Sequence, residues 1–387
     1  MKKLLRNCCF TGIVTGLVLL LAEVGIRIAD KNNEFLPPGK PGWIKLSPTI
    51  HYEMEPNFKG TIYGAQTGIN SHGFRGSEIS DKTEDEFRVV CLGNSCIFGN
   101  EVRYDDTISS LLDSILSEKS EQPVKVINAG VPGYSSYQGL IQLKEKVISL
   151  EPDLLLVSFG FNDRRTVPDK SWKDNEDFFR RDYKAQMKME MFRKSYLVRY
   201  IFKLMKMDEN IPVIEGYDVR VEKFEYKNNI EEIVRTSESH NIPVILFSIP
   251  DNPKYLEPYS WAVDAMDRDD FILAKNFVEK NENIYSRMAR RNYNVRLRNT
   301  ELLAEETSEY TDLMAFHGGL PVYTSEEYDI FLQAAAKAMN VPVIDLSNQL
   351  KPADYIDFIH LNRSGSEKTA RILAESIRSA VLINADN

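Results

Sequence analysis

Four short stretches of this sequence place small polar or ionisable residues directly after apolar runs. They are Gly93-Asn94-Ser95, Asn128-Ala129-Gly130, Gly160-Phe161-Asn162-Asp163 and Asp357-Phe358-Ile359-His360. Between them they hold a hydroxyl that can attack, an imidazole that can take its proton and a carboxylate that can orient the imidazole. The Gly130 N–H and the Asn162 amide are donors of the kind that hold an oxyanion. Asn162 is favoured over Asp163 for that task, because a neutral amide donates a hydrogen bond and a carboxylate does not. This is the inventory of an acyl-transfer site. Taken singly, each residue has an ordinary reading: Ser95 as a turn serine, Asp357 as a helix cap, Gly130 as a strand-end glycine, His360 as a surface histidine. Chemistry requires that they converge, so the elements that carry them decide the matter.

Those elements are legible. Val89, Val90, Cys91 and Leu92 form a buried-strand run that stops at Gly93, and Val124–Asn128 is a second. Asp153–Phe159, Ile242–Ile249 and Val341–Leu346 are a third, fourth and fifth. Helix-like patterns separate them: Ile108, Leu111, Leu112 and Ile115, then a segment running to Leu150, and a last one from about Ser364 to Ile383. Apolar strands alternating with helices mean a parallel sheet covered on both faces, an α/β fold. In such a sheet the strand C-termini share one edge, so the four signatures can meet in one crevice.

Rival motifs fail. The stretch from Gly93 to Gly99 is not G-x-S-x-G, because Ile97 stands where the second glycine belongs. Asn100 follows Gly99, so there is no P-loop, and no GxGxxG follows a strand. A net charge of −9 argues against a general nucleic-acid binder. Four cysteines without zinc-like spacing and five histidines without an HExxH pattern argue against a metal centre.

The N-terminal 30 residues read as a signal anchor. Lys2, Lys3 and Arg6 precede an uncharged stretch from Asn7 to Ala22, and no small-x-small cleavage site follows. At about 16 residues the stretch is short for a full span, unless Glu23 sits at the interface and Val24 to Ile26 extend it. The positive end then stays in the cytoplasm and the rest of the chain lies outside it. Residues 31–66, rich in proline and glycine at first, read as a stalk, and residues 67–387 as one domain. Within residues 68–80, Asn70, His72 and Arg75 read as solvated loop residues. Insertions are expected at 164–225 and 254–335, both with basic, aromatic runs. These are either solvated helical faces or a lid that touches an anionic substrate or membrane headgroups.

The four blocks together resemble the SGNH (GDSL-like) hydrolase family, over the region from about Phe87 to the C-terminal helix outside the insertions. The resemblance implies a flavodoxin-like three-layer α/β/α sandwich with a five-stranded parallel sheet. It implies Ser95 as nucleophile, His360 as general base and Asp357 as its orienting carboxylate. The oxyanion donors would be the Ser95 and Gly130 N–H groups and the Asn162 amide. One residue departs from the family pattern: Asn94 stands where the first block normally has Asp. The anchor, the stalk and the Asn70–Gly76 segment also resemble membrane-tethered bacterial members linked to extracytoplasmic glycans. The implied activity is that of a serine esterase removing O-acyl, in particular O-acetyl, groups from a glycan, with no metal or organic cofactor. Its location would be the bacterial periplasm or cell surface. A glycan O-acetyltransferase, a lipid esterase and a non-catalytic glycan-binding member are the alternatives.

Overall fold

The computed structural model describes residues 2–29, 41–118, 120–167, 169–204, 218–254 and 323–385. Helix α1 (Lys2–Ala29) is unbroken, and its Phe10–Ala29 portion is long and apolar enough to cross a membrane. From Phe10 onward its side chains are exposed except at Ala22, Glu23 and Ile26, which are half-buried.

The segment expected as a stalk is folded over most of its described part; residues 31–40 lie outside the described residues. Strands β1 (Ile44–Ser47) and β2 (His51–Met54) form one antiparallel hairpin, and β3 (Lys59–Ile62) and β4 (Ala65–Gly68) form another. Ile44, Ile50, Tyr52, Met54 and Ile62 are buried in the main core. Tyr52 donates to the Pro132 carbonyl at 2.7 Å and Tyr134 donates to the Tyr52 carbonyl at 2.5 Å, so this region is tied to the loop after the second sheet strand. Turn residues that suggest a spacer by composition here serve tight hairpins with a buried face.

The central sheet is built from β5 (Phe87–Gly93), β6 (Val124–Gly130), β7 (Leu154–Ser158), β8 (Val244–Phe247) and β9 (Val343–Ile344). Its order is β6-β5-β7-β8-β9 and every pairing is parallel. Numbered within the sheet this is 2-1-3-4-5, the flavodoxin-like order, with its reversal between β5 and β7. Strand β9 is much shorter than the expected Val341–Leu346. It pairs on one side only, and Pro342, just before it, has no N–H to offer the ladder.

Side chains of β5 alternate between two cores, as the strand period requires. Val89 and Cys91 face a layer that includes Ile108, Leu112 and Leu116 of α3 (Ile108–Ser117), after the single-turn helix α2 (Ser95–Phe98). Val90 and Leu92 face the opposite layer, with Leu140 of α4 (Ser136–Gln142). Helices α5 (Glu176–Arg193) and α6 (Tyr196–Leu204) follow β7, and α7 (Lys223–Glu238) precedes β8. The α7 residues Tyr226, Ile230, Ile233 and Val234 join the α4 side, as do Tyr328, Leu332, Ala335 and Ala336 of α8 (Ser325–Met339). Leu373, Ala374 and Ile377 of α9 (Arg363–Ala385) join the α3 side. The result is a three-layer α/β/α sandwich. Burying each of these aliphatic side chains contributes about 1.5–3 kcal/mol, which is what covers both faces of the sheet.

Two features depart from the expected insertions. Helix α8 begins inside the expected insertion 254–335 and runs past its end, and its apolar stripe belongs to the sandwich. The basic run around Arg287–Arg298 lies outside the described residues. In the first insertion, α5 packs on the N-terminal hairpins: Phe179 stacks on His51 with centroids 5.2 Å apart, and His51 Nε2 lies 2.8 Å from Asp182 Oδ2.

Candidate active site

Strand β5 ends at Gly93 and the chain turns at once into α2, so Ser95 is the first residue of a helix at the C-terminal edge of the sheet. Asn94 is its N-cap, with Oδ1 accepting from the Cys96 N–H at 2.9 Å. The acceptor a carboxylate would supply is therefore present. The helix ends at Gly99, whose φ of 81° lies in the left-handed region that glycine adopts without strain.

Ser95 Oγ lies 2.8 Å from His360 Nε2, and His360 Nδ1 lies 2.7 Å from Asp357 Oδ2. The other oxygen of Asp357 accepts the backbone N–H groups of Ile359 and His360, at 2.8 and 2.7 Å. Burial by itself would raise the Asp357 carboxyl. The hydrogen bond and charge of His360, together with the two backbone N–H groups, outweigh it and hold the carboxyl below its ordinary range. Asp357 is thus an anion aimed at one imidazole nitrogen, while the other nitrogen faces the serine hydroxyl. This line can pass a proton from Ser95 to His360 and stabilise the resulting imidazolium. Cys96 does not compete as a nucleophile: it is buried, and burial pushes its thiol far above the ordinary thiol range.

Of the expected oxyanion donors, Asn162 lies in the turn after β7, buried, and donates from Nδ2 to the Tyr134 carbonyl at 3.0 Å. That leaves the second amide hydrogen for another acceptor. Gly130 is placed differently from the expectation. Its N–H donates to its own neighbour Asn128 at Oδ1, 3.0 Å away. What Gly130 does provide is space, since a Cβ there would sit 2.2 Å from the Phe98 nitrogen. The end of β6 therefore packs directly on the backbone of the helix that begins with Ser95. Three residues on, Gly133 has a φ of 84° and lies beside Tyr134, the partner of Asn162. Among the described residues its N–H has no acceptor.

The turn carrying Asn162 is held by Asp163, whose Oδ1 accepts from the Ser136 N–H at 2.9 Å and the Ser136 hydroxyl at 2.5 Å. Its Oδ2 accepts from the Gly160 N–H at 3.1 Å. Burial pushes this carboxyl up to about 6, against the lowering effect of the Ser136 bonds. Nearby, Arg220 donates to the Gly133 carbonyl at 2.7 Å and pairs with buried Asp174 at 2.7 Å. Asp174 also accepts from the hydroxyl of Ser135, the N-cap of α4, at 2.6 Å.

The loop carrying Asp357 and His360 has its own brace. Asn252, after β8, donates from Nδ2 to the Asp357 carbonyl and from its backbone N–H to the Phe358 carbonyl, both at 2.9 Å. The preceding Asp251 is forked by the buried guanidinium of Arg164, which follows directly on Asn162 and Asp163. One pair of residues thus couples the turn that carries Asn162 to the loop that carries Asp357 and His360.

Arg75 is where the structure departs most from the sequence reading. It is buried, not solvated; Asn70 is buried too, and His72 is exposed as expected. Its guanidinium donates to the carbonyls of Phe98 (2.8 Å), Gly99 (2.5 Å) and Val102 (2.7 Å), and it lies 4.7 Å from the Phe98 ring centroid. Asn128 Nδ2 adds a bond to the Ile97 carbonyl at 2.8 Å. The carbonyls left open at the end of α2 are closed by a cation from outside the sheet. In the sequence Arg75 is flanked by Phe74, Gly73 and Gly76, which does not distinguish a buried arginine from a solvated loop residue. Arg220, Asp174 and Asn252 carried no local signal at all.

The model of the GDSL-like Lipase/Acylhydrolase family matches residues 91–368. No curated protein matches the chain. Among solved structures it is similar to the lipase/acylhydrolase from Enterococcus faecalis, at 16% identity over 76% of this chain and 96% of that one, TM-score 0.39. It is similar to a carbohydrate acetylesterase from Sinorhizobium meliloti, at 12% identity over 76% and 99%, TM-score 0.41. A catalytic mutant of an acetylxylan esterase from Geobacillus stearothermophilus is similar at 14% identity over 75% and 94%, TM-score 0.37. The family match takes in every block that meets at the edge of the sheet, and the chain belongs to the GDSL-like lipase/acylhydrolase family and is an ester hydrolase.

Proposed function

We propose that the protein is a membrane-anchored serine esterase that removes O-acyl groups, O-acetyl in particular, from an extracytoplasmic glycan. The observation that carries the reading is the unbroken line Ser95 Oγ, His360 Nε2, His360 Nδ1, Asp357 Oδ2, with separations of 2.8 and 2.7 Å. Ser95 Oγ attacks the ester carbonyl carbon as His360 Nε2 takes the hydroxyl proton. Asp357 keeps the imidazole oriented and offsets its positive charge. The carbonyl oxygen becomes an oxyanion held by the Ser95 N–H and the free Asn162 amide hydrogen, with the Gly133 N–H taking the place expected for Gly130. His360 then protonates the departing sugar oxygen, leaving the acyl group on Ser95. Water attacks that acyl-enzyme with His360 again as base; His360 then returns the proton to Ser95 Oγ as its bond to the acyl carbon breaks, and the carboxylic acid leaves.

Two further observations support the finer reading. Phe358 lies 6.2 Å from the His360 ring and stacks on Phe161 at 5.5 Å, an apolar wall suited to a small acyl group. The span Phe10–Ala29 follows Lys2, Lys3 and Arg6, the charge order that keeps the N-terminus in the cytoplasm and carries the domain across.

The test is a panel of p-nitrophenyl esters of rising chain length and acetylated oligosaccharides, with wild type beside Ser95→Ala. Turnover of acetyl esters that vanishes in Ser95→Ala supports the proposal. Activity that rises with chain length replaces the glycan by a lipid ester. Acetyl appearing on an added sugar faster than in water makes the enzyme a transferase. Absence of turnover on every ester sinks the catalytic reading.

A further inference from the structure

The apolar span of α1 contains an acidic residue, Glu23, and the structure shows where its charge goes. Its carboxylate accepts three hydrogen bonds from the start of α6: the Ser195 hydroxyl at 2.8 Å, the Tyr196 N–H at 2.9 Å and the Leu197 N–H at 2.8 Å. These are donors that a helix leaves open at its N-terminus, so Glu23 caps α6 from another helix. Ser195 Oγ also accepts the Val198 N–H at 3.2 Å. Arg27, one turn beyond Glu23, lies 3.6 Å from its carboxylate and 4.9 Å from the Tyr196 ring centroid. Arg199 lies 3.7 Å from the same centroid on its own helix. From Phe10 onward, Ala22, Glu23 and Ile26 are the half-buried positions of α1, a helix on which α6 packs.

The height of this joint follows from helix geometry. The uncharged stretch Asn7–Ala22 spans only about 24 Å, less than a hydrocarbon core of about 30 Å. Extended to Ile26 it reaches about 30 Å, provided that Glu23 is not left as a bare charge at the boundary. The three donors of α6 meet that condition. Helix α6 is therefore joined to the anchor at the level where acyl chains meet headgroups. The sequence around it has the composition for that level: from Met191 to Met207 it has Arg193, Lys194, Arg199, Lys203 and Lys206 and no acidic residue, in a protein of net charge −9, and of these Lys194 is exposed while Arg199 is buried against Tyr196. Ile201 and Leu204 are 41% and 66% exposed, and Met191, near the end of the preceding helix α5, is 62% exposed.

We propose that α6 is an interfacial helix that lies on an anionic lipid surface, with Ile201 and Leu204 in the acyl boundary, the exposed Lys194 just before its start among the headgroups, and Glu23 as its dock on the anchor. This rests on reading α1 as a membrane anchor.

The experiment uses the full chain with Cys8→Ser, Cys9→Ser and Leu204→Cys, labelled with an environment-sensitive fluorophore, in vesicles of phosphatidylcholine and phosphatidylglycerol. Cys91 and Cys96 are buried and do not take the label. Flotation of the vesicles reports the anchor; quenching by lipids carrying a nitroxide near the headgroup reports α6. The expected result is flotation together with strong quenching, weaker when the nitroxide is deep in the bilayer. Adding Glu23→Ala is expected to keep flotation and the far-ultraviolet dichroism while quenching falls several-fold. Flotation without quenching overturns the interfacial helix and leaves the anchor standing, as does a label shielded only at high protein concentration, which would mean a second copy covers α6. Quenching that is unchanged by Glu23→Ala overturns the docking role. A chain that does not float removes anchor and proposal together.

Discussion

Arg75 donates to the Phe98 carbonyl at 2.8 Å, joining a loop that lies ahead of the sheet to the last residue of the helix that Ser95 begins. Among the described residues no carboxylate pairs with this guanidinium. Its partners are the carbonyls of Phe98, Gly99 and Val102. Replacing Arg75 by Met keeps the bulk and leaves those acceptors unsatisfied, at about 1–3 kcal/mol each. We expect a stability loss of about 3 kcal/mol or more by urea unfolding, with a fall in kcat exceeding any change in KM. Arg75→Lys should recover part of both, since an ammonium reaches fewer of the three carbonyls.

Removing the members of the hydrogen-bonded line separates fold from chemistry. Ser95→Ala and His360→Ala should each lower kcat by about 10³-fold or more while the thermal transition stays within a few degrees. Asp357→Asn should cost about 10²–10⁴-fold, because an amide no longer offsets the imidazolium or fixes its tautomer. Steady-state kinetics on an acetyl ester decides each case.

Asn94→Asp restores the residue that the family's first block usually carries. The Asn94 Oδ1 cap on the Cys96 N–H is available to a carboxylate as well. Stability should therefore change by less than about 1 kcal/mol and kcat by less than about tenfold. A large gain in kcat would show that Asn94 impairs the site.

Asp163 makes a pH-dependent contribution with a definite sign. Its folded-state value of about 6 lies above the ordinary 3.8, so between those limits the native state binds the proton more tightly than the unfolded chain. The group therefore favours the fold at pH 4 and loses that contribution as the pH rises through 6. Asp163→Asn imitates the protonated acid at every pH. Relative to wild type it should gain stability between pH 4 and 7 by about 1–3 kcal/mol, read from urea midpoints across that range. A difference independent of pH would rule this out.

Gly130→Ala tests packing against chemistry. A Cβ 2.2 Å from the Phe98 nitrogen forces α2 and β6 apart. Stability and kcat should fall together, by about 1–3 kcal/mol and at least tenfold. Loss of kcat at full stability would restore Gly130 to the oxyanion site.

Much of this molecule is local and was readable from the chain. Buried strands such as Val89–Leu92 and Leu154–Ser158 announce themselves as apolar runs that end at glycine or a polar turn. Parallel strands must end on one edge, so the meeting of Ser95, Asp357 and His360, and the place of Asn162 on that same edge, followed from the order of the elements. The hairpins between Ile44 and Gly68 were not readable as such, because prolines and glycines that mark a spacer also mark tight turns; only the burial of Ile44, Tyr52 and Met54 separates the two. The same holds for Gly130 and Gly133. One ends a strand and the other follows it by three residues, and which N–H finds an acceptor among the described residues depends on where the Asn128 side chain turns.

By itself the sequence determined the residue types of an ester-cleaving site, the strands that carry them and the apolar N-terminal helix, since each is written in consecutive residues and strand or helix periods. Only the tertiary structure decided which groups hold that site in place: Arg75 on the carbonyls of α2, Asn252 on the Asp357 loop, and Arg220 and Asp174 at the turn of Gly133; it alone also put Glu23 at the start of α6. A buried charge is tolerated only where partners from elsewhere in the chain satisfy it, and no local pattern records where those partners will be.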